Sequence, residues 1–321
     1  MGYKSCKWIS SGIVFNQSDL AICCYGDNVG GGRPPLTNNN TYHGDIPNYN
    51  LIFEKKERIR ELQRKGETFP PCEGCEFLHE RNDWDKDTGK IRNIVIQHSP
   101  VCNCKCIYCY TEQNKDFYNT WKPYNVLPVI KDMIQRDILE KGAYINIAGG
   151  EPTILEEFEE LTALLLKHDC FLDIFSSGIK FSQAISDNMH TGRVNLTVSI
   201  DSGCAETYQK IKQINAFPKV VENLRRYAEN QYQDVPRIRT KYIIVPQIND
   251  NIEEVSKWLH LNADIGIKEI MLDIEANYFT NNRNNIPKEY IGIVNFVQDI
   301  ARELNLSYFP CLNVIQALKT V

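Results

Sequence analysis

The sequence predicts an α/β fold of parallel strands, joined to a small, loop-rich N-terminal segment that carries cysteines. Three observations predict it. From about residue 92, β-branched runs alternate with helix-periodic stretches. Over residues 26–50, turn-forming residues dominate. Twelve cysteines are spread unevenly, nine of them before residue 110.

The alternation is the strongest of the three. Strand-like runs occupy 93–97, 144–148, 171–175, 194–200, 238–245 and 269–274. Helix-periodic stretches lie between and after them, at 124–141, 154–168, 181–190, 216–229, 251–264 and 287–304. Leu155, Phe158, Leu161, Leu164 and Leu165, for example, share one helical face. Strands alternating with helices of this length predict βαβ units and a parallel sheet. Six such units suit an open sheet or a partial barrel, and periodicity alone does not choose between them.

The first 90 residues read differently. Ile13-Val14-Phe15 and Leu20-Ala21-Ile22 flank Gln17-Ser18-Asp19, which predicts a β-hairpin over 12–23. Residues 26–50 are loop-like, with Gly30-Gly31-Gly32, Pro34-Pro35 and Asn38-Asn39-Asn40. Residues 52–66 predict one charged helix that stops before Phe69-Pro70-Pro71. The expected division is therefore 1–90 and 91–321.

Composition narrows the function classes. The 321-residue chain is 42% hydrophobic and 24% charged, as ordinary globular proteins are. Its net charge of −5 argues against a sequence-independent nucleic-acid binder, which needs a basic surplus. No apolar run approaches the roughly 18 residues of a membrane span. The N-terminus lacks the apolar stretch of a secretory signal, so a cytoplasmic protein is expected. Disulfides are disfavoured in that compartment, which leaves metal binding or catalysis for the cysteines.

Cys102, Cys106 and Cys109 follow the first strand with the spacing C-x3-C-x2-C. The i, i+4, i+7 pattern also fits one buried helix face, and dense cysteines also suit zinc. Thiolates are the usual ligands of iron–sulfur clusters, and a cube takes one ligand per iron. Three thiolates leave the fourth iron open for a ligand with chemistry to do. Cys104 is off this register and reads as a non-ligand. Downstream, Gly149-Gly150-Glu151-Pro152 closes the second strand, Phe175-Ser176-Ser177-Gly178 the third and Ser199-Ile200-Asp201 the fourth. Each has an ordinary reading as a strand-to-helix turn or a polar strand end. All lie at carboxyl ends of strands, where α/β sheets bind ligands.

The triplet, with Tyr108 before its last cysteine, and the three later motifs in order resemble the radical S-adenosylmethionine (SAM) superfamily over residues 92–305. The resemblance implies a partial (β/α)6 barrel. It also implies a [4Fe–4S] cluster on Cys102, Cys106 and Cys109, and SAM bound near Gly149, Gly150, Glu151, Ser177, Ser199 and Asp201. One electron, from a flavodoxin- or ferredoxin-type donor, cleaves SAM to a 5′-deoxyadenosyl radical that takes a hydrogen atom from the substrate.

Cys6, Cys23-Cys24 and Cys72-Glu-Gly-Cys75 surround the hairpin and the charged helix. A metal would staple so thin a core. Their order resembles the auxiliary-cluster modules called SPASM and twitch, here preceding the barrel rather than following it. The resemblance implies a second iron–sulfur cluster on Cys6, Cys72, Cys75 and one of Cys23 or Cys24, and structural zinc is the alternative. Neighbours on a strand face opposite sides, so only one of that pair can point inward.

Of the remaining cysteines, Cys170 reads as a small buried hydrophobe. Some members of the superfamily return a hydrogen atom from a cysteine, a role the resemblance opens to Cys204, just past the fourth strand, and to Cys311. The expected function is radical SAM chemistry on a peptide. The alternatives are oxidation or rearrangement of a sugar or small metabolite, and a non-catalytic zinc or iron–sulfur protein.

Overall fold

The computed structural model describes residues 2–17, 19–23, 42–75, 77–84, 89–118, 123–231, 237–282 and 287–319. The strands are β1 (Tyr3–Ser5), β2 (Gly12–Phe15), β3 (Leu20–Ala21), β4 (His79–Arg81), β5 (Ile91–Ile96), β6 (Leu139–Ile147), β7 (Phe171–Ser176), β8 (Val194–Ser199), β9 (Ile238–Ile244), β10 (Glu269–Ile274) and β11 (Ser307–Pro310). The helices are α1 (Lys7–Ser11), α2 (Tyr49–Arg64), α3 (Tyr110–Gln113), α4 (Lys115–Tyr118), α5 (Leu127–Gln135), α6 (Phe158–Lys167), α7 (Gln183–Asn188), α8 (Ala205–Lys212), α9 (Phe217–Asn230), α10 (Ile252–Asp264), α11 (Ala276–Asn282), α12 (Lys288–Glu303) and α13 (Leu312–Lys319). This is the mostly parallel α/β architecture of the partial-barrel class. No helix among the described residues is long and apolar enough to cross a membrane.

The chain divides into two compact units. The first comprises residues 1–101, 119–150 and 160–172. Its strands lie in the order β6-β5-β2-β3. The predicted hairpin forms, with Val14 opposite Ala21, and its first strand also runs parallel to β5. The N-terminal hairpin is thus part of the main sheet. The charged stretch predicted as a helix is α2, capped by Asn48, whose side chain accepts from the Leu51 N–H. Its Lys56 points inward and is buried. The ammonium donates to the carbonyls of Trp8 (3.1 Å) and Gly12 (2.5 Å), closing the C-terminal end of α1.

Two predicted boundaries move. The helix expected over 124–141 stops at Gln135, because Asp137 takes a left-handed conformation (φ +57°) and turns the chain. The released residues extend β6 back to Leu139. Gly142 (φ +76°) bulges it, so that Ile91 faces Leu139 while Asn93 faces Tyr144.

The second unit comprises residues 102–118, 151–159 and 173–321. Its strand order is β11-β10-β9-β8-β7, with β8 to β11 pairing in parallel. Strict alternation in β9 buries Ile238, Thr240, Tyr242 and Ile244 on one face and leaves Arg239, Lys241 and Ile243 half-buried on the other. Tyr242 and Trp258 pack tilted at 4.9 Å in the buried layer between β9 and α10.

Candidate active site

β5 ends at Ile96, and the chain runs through an irregular loop that carries Cys102, Cys106 and Cys109 to α3. Gly149 and Gly150 pin the approach to this loop. The Gly150 N–H donates to the Ser99 carbonyl (2.9 Å). A Cβ on Gly150 would lie 2.1 Å from the Val101 carbonyl oxygen, and Gly149 has φ +106°. Only glycines allow so close an approach of two backbones. Beyond the cysteines, the N–H groups of Lys105 and Ile107 donate to the carbonyls of Lys212 and Ile211 at the end of α8 (3.1 and 3.0 Å).

Glu151 is buried, at 2% exposure, and its carboxylate is engaged by the protein. Oε1 accepts from the Thr153 N–H (3.1 Å), the Thr153 hydroxyl (2.6 Å) and the Ser176 hydroxyl (2.9 Å). Oε2 accepts from the Ser177 N–H. The Ser177 hydroxyl in turn donates to Asn103 Oδ1 inside the cysteine loop (3.1 Å). One carboxylate therefore ties the turn after β6 to the end of β7, and Ser177 ties that end to the loop.

Asp201 terminates β8 in a left-handed conformation (φ +54°) and is fully buried. Aspartate tolerates that conformation better than most residues. Its Oδ1 accepts from the Ile243 N–H (2.8 Å), and its Oδ2 from the Tyr108 hydroxyl (2.5 Å) and the Lys212 ammonium (2.5 Å). Lys212, 2% exposed, also donates to the Tyr108 hydroxyl (2.8 Å). Burial alone would push the Lys212 ammonium down, but Asp201, Cys106 and Cys104 together more than offset it and its pKa is raised. Tyr108 reaches Cys106 as well as Asp201. Ser199 lies in register with Lys241.

Within the loop, the buried Cys104 sits between two members of the triplet. Its thiol lies close enough to Cys102 and Cys106 to interact with both, and its N–H donates to Cys102 Sγ at 3.4 Å. Cys104 holds both neighbouring thiols below the usual range, Cys106 at about 6, where Lys212 acts in the same direction. Three thiols, an N–H directed at sulfur and a nearby cation suit the thiolate ligands of a cluster.

In the first unit, Cys6, Cys23, Cys72 and Cys75 lie within electrostatic reach of one another. Burial first, then neighbouring cysteines, push Cys6 up to about 11 and Cys72 to about 12. Cys24 lies outside the described residues. Among the described residues, no three His, Cys, Asp or Glu converge on a point that would hold a single ion. A single zinc asks for sulfurs about 2.3 Å from one centre. A cube gives each thiolate its own iron and asks for a wider set.

Other predicted residues go elsewhere. The Cys204 thiol points to Thr207 Oγ1 (3.5 Å) and Glu254 Oε2 (3.7 Å), where α8 meets α10. Cys311 follows β11, and its thiol reaches Asp273. Asp273 pairs with Lys241 (2.8 Å), and Arg239 with Glu269 (2.9 Å), across the half-buried face of β9 and β10. Lys212 and these cross-strand pairs were not singled out by the sequence.

A cysteine loop after one strand and a buried carboxylate held by Ser176 and Ser177 at the end of another suit a cofactor-dependent α/β enzyme. The radical SAM superfamily pattern matches residues 96–261, and the chain belongs to that superfamily. Its members use a [4Fe–4S] cluster and SAM. The chain is 23% identical over 211 residues to a GTP 3′,8-cyclase of Lactiplantibacillus plantarum, which covers 65% of this chain and 61% of that one. It is 23% identical over 129 residues to mycofactocin maturase MftC of Mycobacterium tuberculosis, covering 40% and 32%. It therefore spans less than two thirds of the length of either relative. Among solved structures, it is similar to Streptococcus suis SuiB bound to precursor peptide SuiA, with TM-score 0.54 and 10% identity over 89% of this chain and 60% of that one. It is also similar to anSMEcpe with bound AdoMet, with TM-score 0.51 and 17% identity over 67% and 60%. At these identities the structural likeness concerns the fold.

Proposed function

We propose that the protein cleaves SAM reductively and takes a hydrogen atom from a peptide. The observation that carries the cleavage reading is the loop itself: three thiols fixed at a strand end, tied to Glu151 through Asn103 and Ser177. Cys102, Cys106 and Cys109 would each hold one iron. When bound, the cluster and SAM supply an electron and a 5′-deoxyadenosyl radical. Gly149, Gly150 and Glu151, with Ser177, Ser199 and Asp201, would frame SAM. Glu151 would do so by holding the turn and the end of β7, with a lone pair of Oε2 left for the SAM ammonium. Cys6, Cys23, Cys72 and Cys75, in a module spanning residues 1–90, would hold a second cluster, which would supply an electron acceptor. A flavodoxin- or ferredoxin-type protein would supply the first electron.

The peptide reading is supported by the half-buried face of β9 and β10. Its cations, Arg239 and Lys241, are each committed to a carboxylate, so the face is charge-balanced and suits a neutral or zwitterionic chain better than a triphosphate. SuiB and anSMEcpe, whose folds this chain shares, are described bound to a precursor peptide and to the Kp18Cys peptide. The second reading, a nucleotide or other small metabolite, is favoured by the similarity in sequence to GTP 3′,8-cyclases.

Reduced protein and SAM, incubated separately with GTP and with short peptides encoded beside its gene, test the two. We expect 5′-deoxyadenosine and a peptide two hydrogens lighter, with GTP unchanged. Consumption of GTP without a peptide product would overturn the peptide reading. Absence of 5′-deoxyadenosine in every mixture would overturn both.

A further inference from the structure

The cysteine loop is flanked by a buried pair of opposite charges, Asp201 and Lys212, and the proposed chemistry gives Lys212 no part. Lys212 and Asp201 are almost wholly removed from water and lie 2.5 Å apart. Desolvating two charges can cost as much as their attraction returns, so fold stability alone gives no reason to prefer the pair to two apolar residues. Both groups meet at one atom, the Tyr108 hydroxyl, which reaches Cys106. The Lys212 ammonium also lies 5.3 Å from the centroid of the Tyr108 ring. The backbone carbonyl of Lys212 accepts from the N–H of Lys105, the residue before Cys106, which ties the residue that carries the ammonium to the loop.

We propose that Lys212 and Asp201 set the reduction potential of the cluster held by Cys102, Cys106 and Cys109, acting through Tyr108 as positioning residues. The inference rests on the proposed cluster site and names a regulation of it. Reduction adds one electron from an external low-potential donor and exchanges no proton, so the thiolate-bound site gains one negative charge. In surroundings of low dielectric constant, an adjacent ammonium stabilises that charge and an adjacent carboxylate opposes it. Each residue alone therefore moves the potential, in opposite senses, while the intact pair keeps the site near balance. Tyr108 fixes the distance at which both act.

The experiment is an electron-paramagnetic-resonance redox titration of anaerobically reconstituted protein without SAM, with iron counted on the same samples. Cysteines 6, 72 and 75 are replaced by alanine throughout, so that only the triplet contributes. Lys212→Met is expected to shift the midpoint to more negative potential and Asp201→Asn to more positive potential. The double variant should return close to the parent, and Lys212→Arg should stay there, since it keeps the charge. The double variant leaves no unpaired buried charge, so it also guards against loss of folding in the single variants. A structural role alone would lower iron content or stability in all variants without opposite shifts. Shifts of the same sign, or none, in samples carrying about four irons would overturn the inference. Parent protein without triplet iron would instead overturn the cluster reading beneath it.

Discussion

The two sets of cysteines stand in opposite electrostatic surroundings. In the loop after β5, Cys104 and Lys212 stabilise negative sulfur, and Cys106 is held at about 6. In the N-terminal set, burial and neighbouring thiols favour the neutral form, with Cys6 at about 11 and Cys72 at about 12. The first set is framed by strand ends, a buried ion pair and a Gly-Gly turn. The second lies on short elements: α1 of five residues and a single 3₁₀ turn at Pro70–Cys72. The difference teaches that the loop is organised by the protein, whereas the N-terminal set, on the proposed reading, would depend on a bound cluster to keep its sulfurs together and deprotonated.

The most disruptive way to break the first half of this contrast is Gly150→Ala. Its Cβ would meet backbone at 2.1 Å, and no rotamer relieves backbone. The variant should lose the triplet's iron and all 5′-deoxyadenosine formation while keeping about four irons on the N-terminal set. Full iron and normal cleavage would show that the turn yields and that the loop is not organised through it.

A pair of cysteine variants sharpens the second half. Cys72→Ala should lower the melting temperature more than Cys106→Ala, because on the proposed reading only the N-terminal elements would rely on metal to close their core. Each should lose about half the iron. Equal melting temperatures, or one zinc in place of N-terminal iron, would remove the contrast.

Glu151→Gln comes next. The amide keeps the shape but replaces an acceptor facing Ser177 and Thr153 by a weaker one. A loss of about 1.5–3 kcal/mol is expected, seen in thermal melts before SAM is added, with a matching loss of SAM affinity by titration. Unchanged melting would mean that these contacts carry little. Cys204→Ala should matter less, since the thiol faces Thr207 and Glu254. The product should remain two hydrogens lighter. A product of native mass that carries solvent deuterium, lost in this variant, would make the reaction an epimerisation instead.

The smallest effect calibrates the rest. Gly292 lies exposed on α12 with open space around it, so Gly292→Ala should stabilise the protein by about 0.5–1 kcal/mol without touching iron or activity.

Most strands were legible because β-branched runs announce them, and β10 begins and ends where the sequence places it. β11 was not: four residues, two of them exposed, carry no such signal. The extension of β6 was hidden because Leu139-Glu-Lys-Gly142 reads as the end of a helix, and only Gly142 permits the bulge. In the site, spacing alone reveals thiols, glycines and acids that cluster in short motifs. Lys212 is invisible in that way. A lysine on an amphipathic helix is ordinarily a solvated charge, and its partners lie 11 residues away at Asp201 and 104 away at Tyr108. Sequence likewise marks Asp201 as a strand-end carboxylate but not that protein donors engage both of its oxygens.

The most direct test of the whole account counts iron and 5′-deoxyadenosine together, in dithionite-reduced protein with SAM, for the native chain, Cys106→Ala and Cys72→Ala. The account predicts about eight irons and cleavage for the native protein. It predicts about four irons and no cleavage for Cys106→Ala, and about four irons with cleavage retained for Cys72→Ala. Cleavage at the native rate by Cys106→Ala would contradict it.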